Sequence, residues 1–298
     1  MTQALNDSSS DDERHDERHD VRTDPHLGTV VHVVGTRQAR PNLPSTGCPF
    51  CPGGREAPEP YDVRWFQNRW PAMPGDRCEV VLYTDQHDAT FSSLGVEGAR
   101  KVIDLWAQRT EALGTRPDVD FVLVFENRGP EVGATIAHPH GQIYAYDHVP
   151  DRPLKLLEAK WSPDLNPGDR IVAEHGSWLA SVPVASTYPI ALSLAPRLQV
   201  ADLPTLDDAG RDDLAALLTD VLARLDRLYD RPLPYMMWLN QRPTDGGEWP
   251  QAWFNVEIVS PWRSAGVPRF IAAAEVACGE FFNPVIPEVL AEQLRALG

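Results

Sequence analysis

Two histidines and a glutamine alternate along residues 138–142, which read His-Pro-His-Gly-Gln. In an extended strand His138, His140 and Gln142 point to one face, because successive side chains alternate. A neutral imidazole can attack an electrophile without first losing a proton to a base, and an amide can donate hydrogen bonds to an anionic oxygen. Gly141 lets a ligand approach the backbone closely. Ordinary surface histidines at a strand start are the alternative, and the complete motif favours nucleophilic chemistry over it.

Two cysteines stand two residues apart in Cys48-Pro49-Phe50-Cys51. This spacing is typical of half a tetrahedral zinc site. A redox-active pair is the main alternative, but it would normally begin a helix, and the following Pro-Gly-Gly opposes one. A zinc ion needs two further ligands, for which the candidates are His87 and either His138 or His140.

Polar residues at the ends of β-like segments are weaker indications of a ligand site. Asn68 and Asn127 could reach a ligand from such strand ends, although asparagine is also common in turns. Arg37 and Arg40 could bind phosphates, or they could simply face solvent.

The charge and composition of the chain exclude several classes of partner. The 298 residues include 27 Lys and Arg against 43 Asp and Glu, so the net charge is −16. This argues against binding to nucleic acid or to an anionic membrane, but not against a small phosphorylated ligand. The longest uncharged stretch, residues 176–196, contains three prolines and cannot form a membrane helix. The N-terminus lacks the apolar core of a signal peptide, so we expect a cytoplasmic protein without disulfides.

The order of periodic segments predicts an α+β fold built from two similar units. Residues 1–24 are charged, rich in serine and free of aromatic residues, and are predicted to be a disordered acidic tail. Helices are predicted at Val96–Leu113 and Asp208–Tyr229, with β-rich segments before and after each. Matching segments lie about 115 residues apart. We therefore expect units at 25–150 and 151–298, each a mostly antiparallel sheet with packed helices.

Seven motifs in this order give the chain a specific resemblance. They are Arg37-x-x-Arg40-Pro41, Cys48-Pro49-Phe50-Cys51-Pro52-Gly53, Phe66-x-Asn68, Asp85-x-His87-Asp88, Phe125-Glu126-Asn127-Arg128-Gly129, His138-Pro139-His140-Gly141-Gln142, and residues 281–288. With them the chain resembles the galactose-1-phosphate uridylyltransferase family of the histidine triad superfamily. The resemblance extends from about residue 24 to the C-terminus, and it implies two tandem histidine-triad-like units.

The activity that the resemblance implies is ping-pong transfer of UMP, with UDP-glucose and a hexose 1-phosphate as substrates. His140 is then the nucleophile, and a uridylyl-histidine is the intermediate. Gln142 and Thr135 would hydrogen-bond the phosphoryl oxygens. The other implied contacts to the nucleotide sugar are Arg37, Asn68 and Asn127, with Arg40 as a further candidate.

The same resemblance implies a structural Zn²⁺ and a homodimer. The implied zinc ligands are Cys48, Cys51, His87 and His138. Such a closed set of four leaves no open position for a substrate, so the role of the ion is expected to be structural.

The sequence departs from the family in two places. Where some members bind iron through histidines of the second half, this chain has Asn240, Asn255 and Glu257, and we expect no iron site there. Residues 269–275 are rich in alanine where other members have bulkier or polar side chains, which leaves the acceptor sugar open. The alternatives are a nucleotidyltransferase or phosphorylase acting on ADP-glucose, a nucleotide hydrolase, or a zinc-stabilised nucleotide-binding protein without turnover.

Overall fold

The structure is a computed structural model that describes residues 19–35, residue 37 and residues 47–298. Its strands, in chain order, are β1 (His19–Thr23), β2 (Val30–Val34), β3 (Arg64–Gln67), β4 (Cys78–Leu82), β5 (Phe121–Arg128), β6 (His140–Tyr146), β7 (Ile171–His175), β8 (Trp178–Ser181), β9 (Ile190–Pro196), β10 (Tyr235–Asn240), β11 (Asn255–Ser260), β12 (Trp262–Ser264) and β13 (Val267–Pro268). Its α-helices are α1 (Gly95–Gly114), α2 (Asp151–Glu158), α3 (Asp208–Leu228), α4 (Ala273–Cys278) and α5 (Pro287–Arg295).

Nine antiparallel strands form one continuous sheet in the order β3-β4-β6-β5-β10-β11-β9-β8-β7. The run β3-β4-β6-β5 and the run β8-β9-β11-β10 have the same internal order, and the chain enters β5 and β10 from a long helix in each case. The two runs meet where β5 pairs with β10, with Phe125 opposite Trp238. The predicted α+β fold with a repeated unit is therefore confirmed, and the two sheets of the repeat are joined edge to edge.

The two long helices cover one face of the sheet and form most of the core with it. On α1 the buried side chains include Val102, Ile103 and Trp106, at the helical spacing expected from the sequence. The longer α3 buries a row of leucines against the same core. Its first turn is capped by Asp207, whose carboxylate accepts a hydrogen bond from the backbone of Gly210 at 2.8 Å. The opposite face carries polar side chains such as Gln142 together with aromatic ones such as Phe125 and Trp238.

The predicted disordered tail is wrong for residues 19–23, and residues 1–18 lie outside the described residues. Strand β1 pairs with β2 as a separate antiparallel hairpin. The Asp24 carboxylate accepts hydrogen bonds from the backbone amides of His26 and Leu27, at 2.8 and 2.7 Å. Gly28 completes the turn with a φ of 70°. These local bonds close a turn without a large core, which composition alone does not reveal.

Among the described residues, no helix combines the length and the apolar character needed to cross a lipid bilayer.

The carboxyl group of Glu126 is buried in the core beneath the centre of the sheet. The hydroxyl of Tyr235 donates a hydrogen bond to Glu126 Oε1 at 2.7 Å. Burial raises the pKa of Glu126 to about 7, although the hydrogen bond from Tyr235 and the charge of Arg128 act in the opposite direction. Near neutral pH this acid therefore changes its ionisation inside the folded protein.

The buried acid predicts a particular dependence of stability on pH. Between about pH 4.5 and 7 the folded state holds a proton on Glu126 that the unfolded chain releases, so stability falls as pH rises through this window. Glu126→Gln keeps an acceptor for Tyr235 and removes the titration. We expect the loss of unfolding free energy between pH 5 and 8 to be smaller in this variant, by up to about 3 kcal/mol, measured by urea denaturation.

The exposed Glu97 provides a matched control, because its side chain is 89% accessible. Glu97→Gln should keep the wild-type pH dependence. Identical pH dependence in Glu126→Gln and the wild type would contradict the assignment.

Candidate active site and metal centre

His140 and Gln142 lie on the open face of the sheet, at the middle of the first unit. Strand β6 begins at His140, which pairs with Leu82 of β4, and Gln142 lies between Val80 of β4 and Phe125 of β5. The intervening Gly141 faces the core. A methyl group there would lie 2.2 Å from the hydroxyl oxygen of Tyr83, so the glycine is required by close packing.

The ring of His140 is oriented by one backbone hydrogen bond. Its Nδ1 lies 2.7 Å from the carbonyl oxygen of His138. Because a carbonyl can only accept, Nδ1 carries the hydrogen, and in the neutral ring Nε2 then carries the lone pair. The ring of Phe50 lies edge-on at a centroid distance of 5.1 Å. The geometry thus makes Nε2 the nucleophilic atom of this histidine.

A cavity of about 280 Å³ opens beside His140 and Gln142. Apolar side chains form much of its wall, including Phe50, Phe66 and Ile136, and its polar lining includes Asn68 and Thr135. Such a mixture suits a ligand with one flat apolar part and one charged part.

The amide of Gln142 is held by two donors. Asn68 Nδ2 and the Tyr144 hydroxyl both donate to Gln142 Oε1, at 3.3 and 3.4 Å. The Nε2 hydrogens of Gln142 are therefore directed away from these neighbours, where they can serve an anionic oxygen.

The other predicted site residues lie in adjoining cavities. Asn127, near the end of β5, lines a second cavity of about 470 Å³ that shares Ile136 and His140 with the first. Arg37 lines a third cavity, which shares Asn68 with the first. The structure thus brings Asn68, Thr135, His140 and Gln142 together and places Asn127 and Arg37 on either side. Arg40 lies outside the described residues.

Four residues form a candidate metal centre directly before β6. The ligand atoms of Cys48, Cys51, His87 and His138 all lie within 4.8 Å of one another. Cys51 Sγ is 3.6 Å from both His87 Nδ1 and His138 Nδ1. Ligand atoms around a tetrahedral zinc ion lie roughly 3.5 Å apart, so these positions fit such an ion. Of the two histidines left open by spacing, His138 is the one that lies in this group.

The electrostatics of the cluster also suit a cation. Burial lowers the pKa of His138, which favours the neutral imidazole that ligates metals. Burial, followed by the neighbouring Cys48, raises the pKa of the Cys51 thiol. Burial and the nearby Cys48 both disfavour the thiolate form of Cys51. A bound cation would offset these two effects, because its positive charge stabilises the thiolate.

Two site residues were missed by sequence reasoning. Tyr61 contacts the ring of His138 through its hydroxyl, and Phe50 contacts both His138 and His140. Phe50 could have been suspected from its place between the two cysteines. Tyr61 had no sequence signal, because it is brought in by the loop that precedes β3.

In the second unit, the polar side chains of Asn240, Asn255 and Glu257 are bonded to one another and to Arg152. Arg152 donates from Nη2 to both oxygens of Glu257, at 2.9 and 2.8 Å. Asn240 Nδ2 donates to Asn255 Oδ1 and to Glu257 Oε1, each at 2.8 Å. The guanidinium thus compensates the charge of the carboxylate. The predicted lack of iron stays a prediction.

Comparisons with known proteins find one family over most of the chain. The family described as galactose-1-phosphate uridyl transferase matches with its N-terminal domain at residues 67–150 and its C-terminal domain at residues 136–298. A galactose-1-phosphate uridylyltransferase from Thermotoga maritima is 33% identical, over 89% of this chain and 94% of its own length. One from Streptomyces lividans is 36% identical, over 85% and 79%.

Solved structures with a similar fold include a uridylyltransferase and a related phosphorylase. A structure described as a uridylyltransferase superposes with a TM-score of 0.83 at 27% identity, over 93% of this chain and 97% of that chain. An ADP-glucose phosphorylase from Arabidopsis thaliana, with bound ADP-glucose, superposes at 0.74 with 21% identity and shares the fold. Family matches across most of the chain thus confirm the resemblance that the motifs indicated, and the chain belongs to the galactose-1-phosphate uridylyltransferase family.

Proposed function

We propose that the protein is a UDP-glucose–hexose-1-phosphate uridylyltransferase that carries UMP on His140. The observation that supports this most directly is the 2.7 Å hydrogen bond from His140 Nδ1 to the His138 carbonyl, at the edge of a cavity lined by nucleotide-compatible side chains. The named relatives support the choice of UDP-glucose and a hexose 1-phosphate, in galactose metabolism.

The first half-reaction transfers UMP to the enzyme. His140 Nε2 attacks the α-phosphorus of UDP-glucose, an N–P bond forms, and the bond to the bridging oxygen breaks with its electron pair going to glucose 1-phosphate. The ring gains positive charge, which the His138 carbonyl stabilises through the proton kept on Nδ1. In the second half-reaction a phosphate oxygen of the acceptor attacks the same phosphorus, and the N–P bond breaks.

The neighbouring polar groups stabilise charge on the phosphoryl group and hold the nucleotide. Gln142 Nε2 donates a hydrogen bond to a non-bridging oxygen of the phosphoryl group. The Thr135 hydroxyl donates a hydrogen bond to the same phosphoryl group. Asn68 holds the Gln142 amide and contacts the nucleotide from the cavity wall. Asn127 and Arg37 contact the nucleotide sugar from the adjoining cavities, where the arginine offers charge to the phosphates.

The metal that we propose for the four-residue cluster is Zn²⁺. Two thiolates and two imidazoles form a soft, tetrahedral set, which zinc prefers. When bound, the ion would cross-link the loops that carry Cys48, His87 and His138. Its role is structural, since all four positions are filled by protein.

We further propose a cytoplasmic homodimer with two units, 25–150 and 151–298. Exposed apolar side chains near the C-terminus, such as Phe270, Val276 and Phe282, support an association between copies of the chain. The net charge of −16 speaks against nucleic acid or an anionic membrane as partner.

The nucleophile can be tested by intact-protein mass spectrometry. On incubation with UDP-glucose the wild type should gain the mass of one uridylyl group, and His140→Gly should gain none, because the attacking nitrogen is absent. His148→Gly, which alters a half-buried histidine after β6, is the control and should still be labelled.

The same measurement separates the alternatives. A mass gain only with ADP-glucose would favour the adenylyl enzyme. Loss of the uridylyl mass in water, with no sugar phosphate added, would favour the hydrolase. Labelling that persists in His140→Gly would refute the assignment of the nucleophile.

The metal centre can be tested by elemental analysis of the purified protein. We expect about one zinc ion per chain. Cys51→Ser should lose most of the zinc and unfold at a lower temperature, since the cross-link between loops is broken. Cys278→Ser changes an exposed cysteine outside the cluster and should keep its zinc. Equal zinc content in both variants would be inconsistent with the proposed ligands.

A further inference from the structure

The hydroxyl of Tyr61 joins two parts of the candidate metal centre. It donates a hydrogen bond to the carbonyl oxygen of Phe50, which lies between the two cysteines, at 2.6 Å. The same oxygen lies 2.9 Å from His138 Nε2. The ring of Tyr61 is half-buried against the small apolar cluster around Phe50 and Leu82, which limits its movement.

The hydrogen positions at this contact follow from the partners. The single hydrogen of the Tyr61 hydroxyl is directed to Phe50, because a carbonyl can only accept. His138 Nε2 faces the Tyr61 oxygen and also the carbonyl oxygen of Thr84, at 2.8 Å. Two acceptors at this nitrogen require that it carry the hydrogen. The lone pair of His138 is then on Nδ1, which lies 3.6 Å from Cys51 Sγ.

We propose that Tyr61 is a positioning residue of the metal centre, which fixes the ring of His138 and the turn of the two cysteines relative to each other. This rests on the metal site proposed above. The carbonyl of Thr84 can maintain the tautomer by itself, so the particular contribution of Tyr61 is orientation: its hydroxyl ties the cysteine turn to the histidine. Partners of this kind behind a metal ligand typically change metal affinity by about 10- to 100-fold.

The contact also reaches the nucleophile. The carbonyl of His138 accepts the hydrogen bond from His140 Nδ1, so a shift of His138 alters the orientation of the reacting ring. Loss of the Tyr61 hydroxyl should therefore weaken metal binding first and slow the formation of the uridylyl-enzyme as a consequence.

The proposal is tested with Tyr61→Phe, which keeps the ring and removes only the hydroxyl. Zinc affinity is measured by competition with a chromophoric chelator on the full-length protein. We expect Tyr61→Phe to bind zinc about 10-fold more weakly than the wild type, at the low end of the range because Thr84 still holds His138. Tyr229→Phe is the control: it alters a half-buried tyrosine of the second unit that packs near Trp262, and it should bind zinc as the wild type does.

A second measurement distinguishes positioning from general damage. The rate of uridylyl-enzyme formation in Tyr61→Phe should be reduced in limiting zinc and should recover in saturating zinc, whereas the affinity defect should persist. Zinc affinity within about twofold of the wild type would overturn the proposal, as would a wild type that binds no zinc. A wild type that binds zinc but forms no uridylyl-enzyme would overturn the proposed transfer reaction alone, because the affinity comparison still decides the role of Tyr61.

Discussion

The hydrogen bond between His140 Nδ1 and the carbonyl of His138 is the contact on which the site depends. It decides which nitrogen of the ring carries the lone pair, and it ties the ring to the backbone of a candidate metal ligand two residues earlier. Between the two histidines, the carbonyl of Pro139 accepts a hydrogen bond from the backbone amide of Tyr83 at 3.3 Å. Gly141, one residue into β6, leaves room for the Tyr83 hydroxyl. The candidate nucleophile, the candidate metal cluster and the core beneath the sheet are thus connected within five residues.

The two units of the sheet have the same topology but different chemistry on the open face. In the first unit, His140 and Gln142 border a cavity of about 280 Å³. In the second, Asn255 and Glu257 also alternate along a strand, but Arg152 and Asn240 bond to them. A carboxylate paired with a guanidinium and an amide is a poor nucleophile and a stable packing element. The two units therefore share a topology, and the candidate nucleophile lies in the first of them.

Short-range patterns in the sequence predicted most of the fold and much of the candidate site. Helical spacing located α1 and α3 to within one residue at each end, and strand alternation placed His140 and Gln142 on a common face. His138 differs, because β6 begins only at His140 and the earlier histidine turns toward the cysteines. The choice between these histidines as ligand, and the contacts of Tyr61 and Glu126, depend on residues far apart in the chain. Sequence spacing carries no information about such contacts. The N-terminal hairpin was missed because its polar composition predicts disorder, whereas the hydrogen bonds of Asp24 close a turn locally.

The junction between β5 and β10 has a consequence for how the chain is made on the ribosome. Strand β5 lies inside the finished sheet, but its partner is synthesised more than a hundred residues later. At cellular rates of translation the edge of β5 remains unpaired for roughly 5 to 20 seconds. During that interval the apolar stretch at 121–125 presents open backbone groups to other nascent chains, which is a condition that favours aggregation. The C-terminal half thus supplies β10, which pairs with the free edge of β5 only late in synthesis. Truncated chains that end before β10 would keep this edge unpaired and would be expected to need chaperones.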